Sequence, residues 1–413
     1  MAKEGSTDNK ALYGVISGDK VLWIILSVMF IISILVVYSS TAKMAYDINN
    51  PTGTRGFLLA QLFWLVISII SAYLVSLIKS RVFYNIAPYI FWGGVALTFI
   101  TLIIGQATNG AARWLTIPGI GIGFQPSEVL KVGVVMYLAR ILSLKQDVIS
   151  KMRIVPTLAF WRWGLPEEKA VLKGGFRSIL LPIIIAGAVI LPAHTSSALI
   201  VGFISFMMLM IGRVKWSELG RICIIAAAAI VIYSSVGFGR SDTATSRVDT
   251  WIETLTSNRR DVPVDKLTDT ERSMIAINGG GLIGHGAGQS AMRVEIMHPE
   301  SDYAYAFFIE EYGLIMGLVL LLFYLWIFFR SINIYRSGCP PFSGFLILGV
   351  ALLITSQALL HIMVTINLAP ETGQPLPIIS RGGTSLLITS LAIGMILSVS
   401  RQREEIKSMN ITD

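Results

Sequence analysis

Blocks of nearly uncharged sequence recur along this chain, each close to the roughly 20 residues that a helix needs to cross a bilayer's hydrocarbon, separated by short charged or glycine- and proline-rich breaks. Ten such blocks predict spans near 21–40, 57–78, 84–105, 126–143, 178–193, 195–212, 220–238, 303–329, 342–368 and 383–400. In hydrocarbon, helices satisfy their own backbone hydrogen bonds, so the pattern predicts an all-α polytopic membrane protein. Only 14% of the 413 residues are charged and 54% are hydrophobic, against about a quarter charged in soluble domains. The fourth block is unusual in carrying Glu128, Lys131 and Arg140, and the fifth reaches the sixth through only Pro192, Ala193 and His194.

An even number of spans puts both termini on one side, and the distribution of Lys and Arg says which. With the N-terminus inside, 21 basic residues fall on the cytoplasmic side and 4 outside, once the 239–302 loop is set aside as too long to inform orientation. Both ends are therefore expected in the cytoplasm. The first apolar block is too long for a cleaved signal peptide and reads as an anchor. The expected organisation is a single membrane domain over 1–413. It has a tail at 1–20, seven spans within 21–238 with an inner loop at 144–177, a large extracytoplasmic loop at 239–302, three spans within 303–400, and a tail at 401–413. The inner loop is basic and carries Trp161 and Trp163, as a segment lying on anionic headgroups would. The net charge of +8 is spread over many short loops, which argues against a nucleic-acid surface. Cys223 and Cys339 fall near the cytoplasm, where a disulfide framework is not expected.

With no soluble catalytic domain in view, chemistry has to be built from loops and span ends. The stretch HPESDYAYAFFIEEYG places Glu300, Asp302, Glu310 and Glu311 at the mouth of the eighth span. On a helix starting near Asp302, Glu310 and Glu311 would lie roughly 12 Å deep, where each ionised group costs about 2.5–3.5 kcal/mol unless paired or wet. They therefore read as cavity architecture. Asp302, at the water boundary, is the candidate general base or electrostatic catalyst. His298, Glu300 and Asp302 also form an alternating row that could take a divalent cation such as Mg2+ or Mn2+, a weak signal.

Three further stretches bear on the site. In NGAARWLTIPGIGIGFQPSEVLK, Arg113 is a cation suited to phosphate and Trp114 an interfacial anchor. Gln125 and Pro126 lead into a helix on which Glu128 and Lys131, at i and i+3, can pair inside the membrane. Ser127 lies between them. The glycines of INGGGLIGHGAGQS (Gly279, Gly280, Gly281, Gly284, Gly286 and Gly288) lack the pattern of a nucleotide loop and predict a tight fold-back over the membrane surface. In NLAPETGQPLPIISRGGTSLL, proline and glycine break an apolar stretch, so non-helical backbone lies near membrane depth, tolerated only if buried or lining a cavity. Arg381 is its cation, flanked by Ser380, Gly382 and Gly383.

Taken in order, these motifs resemble the SEDS family of membrane peptidoglycan polymerases. They read G-A-x-R-W then Q-P-S-E-x-x-K, a glycine-rich segment ending G-x-G, D-x7-E-E-x-G, and L-P-x-x-S-x-G-G-T-S, and the resemblance covers nearly the whole chain. It implies a glycosyltransferase that polymerises lipid II, the undecaprenyl-pyrophosphate disaccharide pentapeptide, with inversion at the outer face of the bacterial inner membrane. It further implies Asp302 as the essential acid, Arg113, Glu128, Lys131, Ser380 and Arg381 toward substrate, and Trp114, Gln125, Pro126, Ser127, Glu310, Glu311, Gly382 and Gly383 in support. A class B penicillin-binding transpeptidase and other division membrane proteins would be its partners. The N-terminal extension and the NGAARW form resemble the division-type branch more than the rod-shape branch. Arg272 before Ser273, and Thr372 and Arg381 in the last motif, depart from the family pattern. The alternative from another class is a lipid II transporter, which also uses broken helices and intramembrane charge, but no inverted repeat relates the two halves.

Overall fold

A computed structural model describes residues 18–41, 53–108, 111–116, 123–157, 163–236, 241–256 and 266–412. Besides a single helical turn at Gln146–Ile149, twelve longer helices carry the described chain: α1 (Lys20–Ser40), α2 (Gly53–Leu77), α3 (Ser80–Ile104), α4 (Pro126–Leu144), α5 (Pro166–Ile190), α6 (Thr195–Ile211), α7 (Trp216–Val236), α8 (Ser241–Thr256), α9 (Asp269–Gly280), α10 (Ala304–Arg336), α11 (Pro341–Thr365) and α12 (Gly383–Thr412). All ten predicted apolar blocks fall on helices. Eight of these are long and apolar enough to cross a membrane; α4, with its three charges, and α6, with 17 residues, fall outside that set.

Burial sorts the bundle. In the apolar windows of α11 and α12, 78% of residues are buried, against 11% in α7, so the first two form the centre and α7 stands at the periphery. The central helices join one continuous core with α1, α4 and α10, in which Met29, Leu130, Met136, Phe307, Ile354 and Ile396 are fully enclosed. Helix α2 lies along α12, α3 along α4, and α10 along α11.

The two ends of the described chain meet on one face of the bundle. The Gly18 N–H donates to Glu404 Oε2 at 3.2 Å, Arg330 near the end of α10 is paired with Asp19 at the start of α1, and Arg401 Nη2 donates to the Leu77 carbonyl at 2.7 Å.

Three local features depart from the expected layout. The fifth span is not confined to 178–193: α5 begins at Pro166 and passes through a π-helical stretch, Leu172–Leu180, before its apolar end. The inner loop is tied down as well as basic, because Glu218 Oε2 accepts the N–H groups of Ile154 and Val155, both at 2.9 Å. Trp163 there is exposed, and Trp161 lies outside the described residues. Finally, a small three-stranded antiparallel ribbon interrupts the otherwise helical chain, β1 (Gln106–Thr108), β2 (Ala111–Thr116) and β3 (Gly123–Phe124), and delivers the chain into α4.

The 239–302 segment is partly helical where it is described. Helix α9 starts with a capping box, in which the Thr268 side chain accepts from the Glu271 N–H and the Glu271 carboxylate reaches back to the Thr268 N–H at 2.8 Å. Helix α8 is held against the loop after α11: Arg247 Nη1 donates to the Glu371 carbonyl at 3.3 Å, and Trp251 Nε1 to the Asn367 carbonyl at 3.1 Å.

Candidate active site

The eighth apolar block is one helix by sequence but two in space. Within α10, Gly313 takes φ +86° and ψ 165°, a left-handed φ that glycine tolerates and a side chain resists. The break frees carbonyls before it and N–H groups after it, and the glycine-rich segment 280–288 supplies partners for both. His285 and Gly286 donate to the carbonyls of Glu310 and Glu311 at 3.1 and 2.9 Å. Leu314 and Ile315 donate to the carbonyls of Gly281 and Leu282 at 2.9 and 3.3 Å. So close an approach requires glycine: a Cβ on Gly284 would sit 2.3 Å from the Glu311 carbonyl oxygen. The expected fold-back over the surface is instead an insertion into the helix break.

Glu310 and Glu311 serve this insertion. Glu310 accepts the N–H groups of Ala291 and Met292 at 2.9 and 3.1 Å and the Ser290 hydroxyl. Glu311 accepts the Gly288 N–H at 2.9 Å and the hydroxyl of Ser39 at the outer end of α1. Both carboxylates are buried, so the architectural reading of the pair fits what they touch.

Asp302 precedes the helix instead of opening it: α10 begins at Ala304, and Asp302 sits in the turn closed by its N–H to the His298 carbonyl at 3.1 Å. Oδ1 accepts the Ser301 hydroxyl at 2.8 Å, and Oδ2 takes no hydrogen bond from a described residue. Opposite Oδ2 is Gly373, where a Cβ would come within 3.7 Å, so the glycine keeps the approach to the carboxylate open. Burial pushes the Asp302 carboxyl above the usual carboxylate range; the Ser301 hydrogen bond, His298 and His361 pull against that shift and Glu300 adds to it. The environment thus differs from the fully wet boundary expected of this residue, and it makes the carboxylate a better proton acceptor once ionised.

The buried pair is present: Lys131 Nζ lies 2.8 Å from Glu128 Oε1, with almost no exposure of either side chain. Its link to the Asp302 region is Gln374. The Gln374 Oε1 lies 3.5 Å from Lys131 Nζ, and its amide nitrogen lies 2.9 Å from the Ser197 hydroxyl and 3.2 Å from Ser196 Oγ and the His194 ring. Its backbone carbonyl accepts from His361 Nδ1 at 2.8 Å. A carbonyl can only accept, so Nδ1 carries the proton, leaving Nε2 to accept the Tyr305 N–H at 3.4 Å. His361 therefore ties the loop beside Asp302 to the first turn of α10. Burial, with Lys131 and Arg247 nearby, pushes His194 down to about 3, so it is a neutral hydrogen-bonding group.

The last motif frames the same turn. Ser380 Oγ donates to the Ser301 carbonyl and accepts the Leu376 N–H, both at 2.8 Å, so this hydroxyl holds the Asp302 turn and has no free capacity to donate to substrate. The Arg381 N–H donates to the Glu300 carbonyl at 2.8 Å, and its guanidinium lies 4.4 Å over the Phe57 ring of α2. Gly383 lets Trp64 pack where a Cβ would be 2.3 Å from its indole, while Gly382 has space around it. Gln125, Pro126 and Ser127 line a crevice with Thr98, Thr101 and His194. Trp114 stands half-buried on β2 with its ring against Gly123. Arg113 is also on β2, and its side chain lies outside the described residues.

The row His298, Glu300 and Asp302 does not converge. His298 Nδ1 lies 3.6 Å from Glu300 Oε1, whereas Asp302 turns to Ser301. Among the described residues no three His, Cys, Asp or Glu side chains are placed to hold a metal ion. Sequence reading missed Gln374, His361 and His194 as members of the site; for Gln374, a polar side chain inside the broken stretch after α11 was the available signal.

Residues 19–405 match the family model FTSW_RODA_SPOVE, described as "Cell cycle protein". The chain is 26% identical over 389 residues to the probable peptidoglycan glycosyltransferase FtsW of Coxiella burnetii, covering 92% of this chain and 96% of that one. It is 28% identical over 395 residues to the protein of the same description from Halomonas elongata, covering 92% and 91%. Among solved structures, it superposes with a TM-score of 0.64 on a chain from "Structural coordination of polymerization and crosslinking by a peptidoglycan synthase complex", at 19% identity over 94% of this chain and 98% of that one. The rod shape determining protein RodA of Thermus thermophilus matches with a TM-score of 0.59 at 20% identity, over 94% and 97%.

Proposed function

The chain belongs to the FtsW/RodA/SpoVE family of cell cycle proteins, and on that premise we propose that it polymerises lipid II at the outer face of the bacterial inner membrane, as a peptidoglycan glycosyltransferase acting in septal wall synthesis. The observation that carries this reading is the half-buried Asp302 carboxylate, with one oxygen unengaged and Gly373 leaving its approach open.

In the reaction, Asp302 Oδ2 takes the proton from the 4-hydroxyl of an acceptor N-acetylglucosamine. That oxygen attacks the anomeric carbon of the N-acetylmuramic acid on a second lipid-linked chain. A C–O glycosidic bond forms, the bond from that carbon to the pyrophosphate oxygen breaks with inversion, and undecaprenyl pyrophosphate departs with the electron pair. A carboxylate whose pKa is lifted toward working pH suits proton abstraction from an alcohol. Lys131, paired with Glu128 and 3.5 Å from Gln374 Oε1, supports the loop beside Asp302 from within the bundle.

The likeness to a chain from a peptidoglycan synthase complex supports a transpeptidase partner, proposed as a class B penicillin-binding protein alongside other division membrane proteins. The test is conversion of labelled lipid II by the purified chain with that partner in liposomes. Glycan strands support the reading, and translocation of lipid II without polymerisation contradicts it.

A further inference from the structure

Beside Asp302 the structure holds a groove that the proposed chemistry does not use. Its walls are helix α8 on one side and the 367–372 stretch after α11 on the other. Arg247 and Glu371 meet across the middle and line both lobes. The first lobe runs to the start of α6 and is lined by Thr195, Ser196, Thr243 and Thr372, with Leu199 and Val248 as apolar patches. The second is lined by Thr250, Trp251, Thr254, Thr270 and Asn367.

The chemistry of this lining is specific. Hydroxyls, one amide, one guanidinium, one carboxylate and an indole, interleaved with small apolar patches, match the alternating hydroxyl, amide and C–H faces of a saccharide. Part of the polar capacity is unspent. The hydroxyls of Thr243, Thr250 and Thr372 make no hydrogen bond with a described residue, whereas Ser246 and Thr254 on the same helix return theirs to α8 carbonyls. Asn367 is 5% exposed, and its Oδ1 is buried with no hydrogen-bond donor among the described residues. Such an acceptor is costly to leave unmade, and a sugar O–H or acetamido N–H satisfies it.

The groove also begins at the reacting centre. Tyr303, next to Asp302, donates its hydroxyl to Glu371 Oε1, which also accepts from Thr270 Oγ1 at 3.2 Å. Gly373, beside Asp302 Oδ2, directly follows the groove residue Thr372.

We propose that the groove between α8 and residues 367–372 is a saccharide subsite that holds the glycan strand next to Asp302 while the polymer grows. This rests on the polymerase reading and adds to it a site for a polymer of N-acetylated hexosamines. A strand retained there stays bound between additions, so the groove sets product length and not the rate of a single transfer.

The test fills the two lobes with Thr243→Leu and Thr250→Leu, which suit a helix and alter hydroxyls that bond no described residue. In the full chain with its partner, the double variant is expected to keep its initial rate of lipid II consumption within about twofold while the mean strand length on a gel falls threefold or more. In detergent, saturation-transfer NMR with a soluble N-acetylglucosamine oligosaccharide should show contact with the wild type and lose most of it in the double variant. Strands of unchanged length, or equal oligosaccharide contact in both proteins, overturn the proposal. If the wild type makes no strand at all, it is the polymerase reading that has failed.

Discussion

The carbonyl of Gln374 accepts a hydrogen bond from His361 Nδ1 at 2.8 Å, and through it the buried Lys131–Glu128 pair and the turn carrying Asp302 are joined. His361 does this as a neutral ring with a donor on one side and an acceptor on the other. His361→Leu fills similar space with neither, leaving the Gln374 carbonyl and the Tyr305 N–H unmade at about 1–3 kcal/mol each. Polymerisation by the Leu variant should fall at least tenfold, mainly in turnover, while His361→Gln, which keeps a donor and an acceptor, should recover much of it. Steady-state rates on labelled lipid II check this.

The Glu128–Lys131 pair is buried on both sides, so breaking it exposes an uncompensated charge to a low dielectric. Glu128→Ala should destabilise the fold by about 3–5 kcal/mol, and Glu128→Leu combined with Lys131→Met should recover most of that while remaining inactive. Melting temperatures in detergent, read beside polymerisation, separate the two effects.

Insertion of the 280–288 segment into the α10 break leaves no room for a Cβ at Gly284, where φ is +85°. Gly284→Val should detach the segment and uncover the buried carboxylates of Glu310 and Glu311. Limited proteolysis from the outer face is the measurement, with new cleavage expected between 280 and 292 and little change at the cytoplasmic ends.

How much of this was legible depended on the range of the interaction. The apolar blocks state the helices because burial in hydrocarbon is a property of each segment alone. Glu128 and Lys131 are legible for a similar reason, since i and i+3 share a face in any helix. The break at Gly313 was not, because one glycine inside an otherwise helical block does not announce a left-handed φ. The partners that make the break tolerable lie some thirty residues upstream. Gln374 reaches Ser197 across 177 positions, and no local pattern in Pro-Glu-Thr-Gly-Gln signals that reach. The capping box of α9 is local, since Thr268 and Glu271 stand at the Thr-x-x-Glu spacing that forms one.

Asp302 also ties activity and stability to pH. Burial raises its folded pKa above the unfolded value, so the folded state binds this proton more tightly. The stability it contributes is full below the ordinary value of 3.8 and is lost as pH rises through the raised one. Above that raised value the ionised carboxylate is therefore a cost. Asp302→Asn should melt above the wild type at neutral pH and lose that advantage in acid. Wild-type polymerisation should decline as pH falls through an inflection above 3.8, since the base must be ionised.

The most direct measurement of the central claim is glycan synthesis from labelled lipid II by the reconstituted complex carrying Asp302→Ala. The account predicts an intact, correctly assembled complex that makes no strands. Strands formed at the wild-type rate by that variant would contradict it.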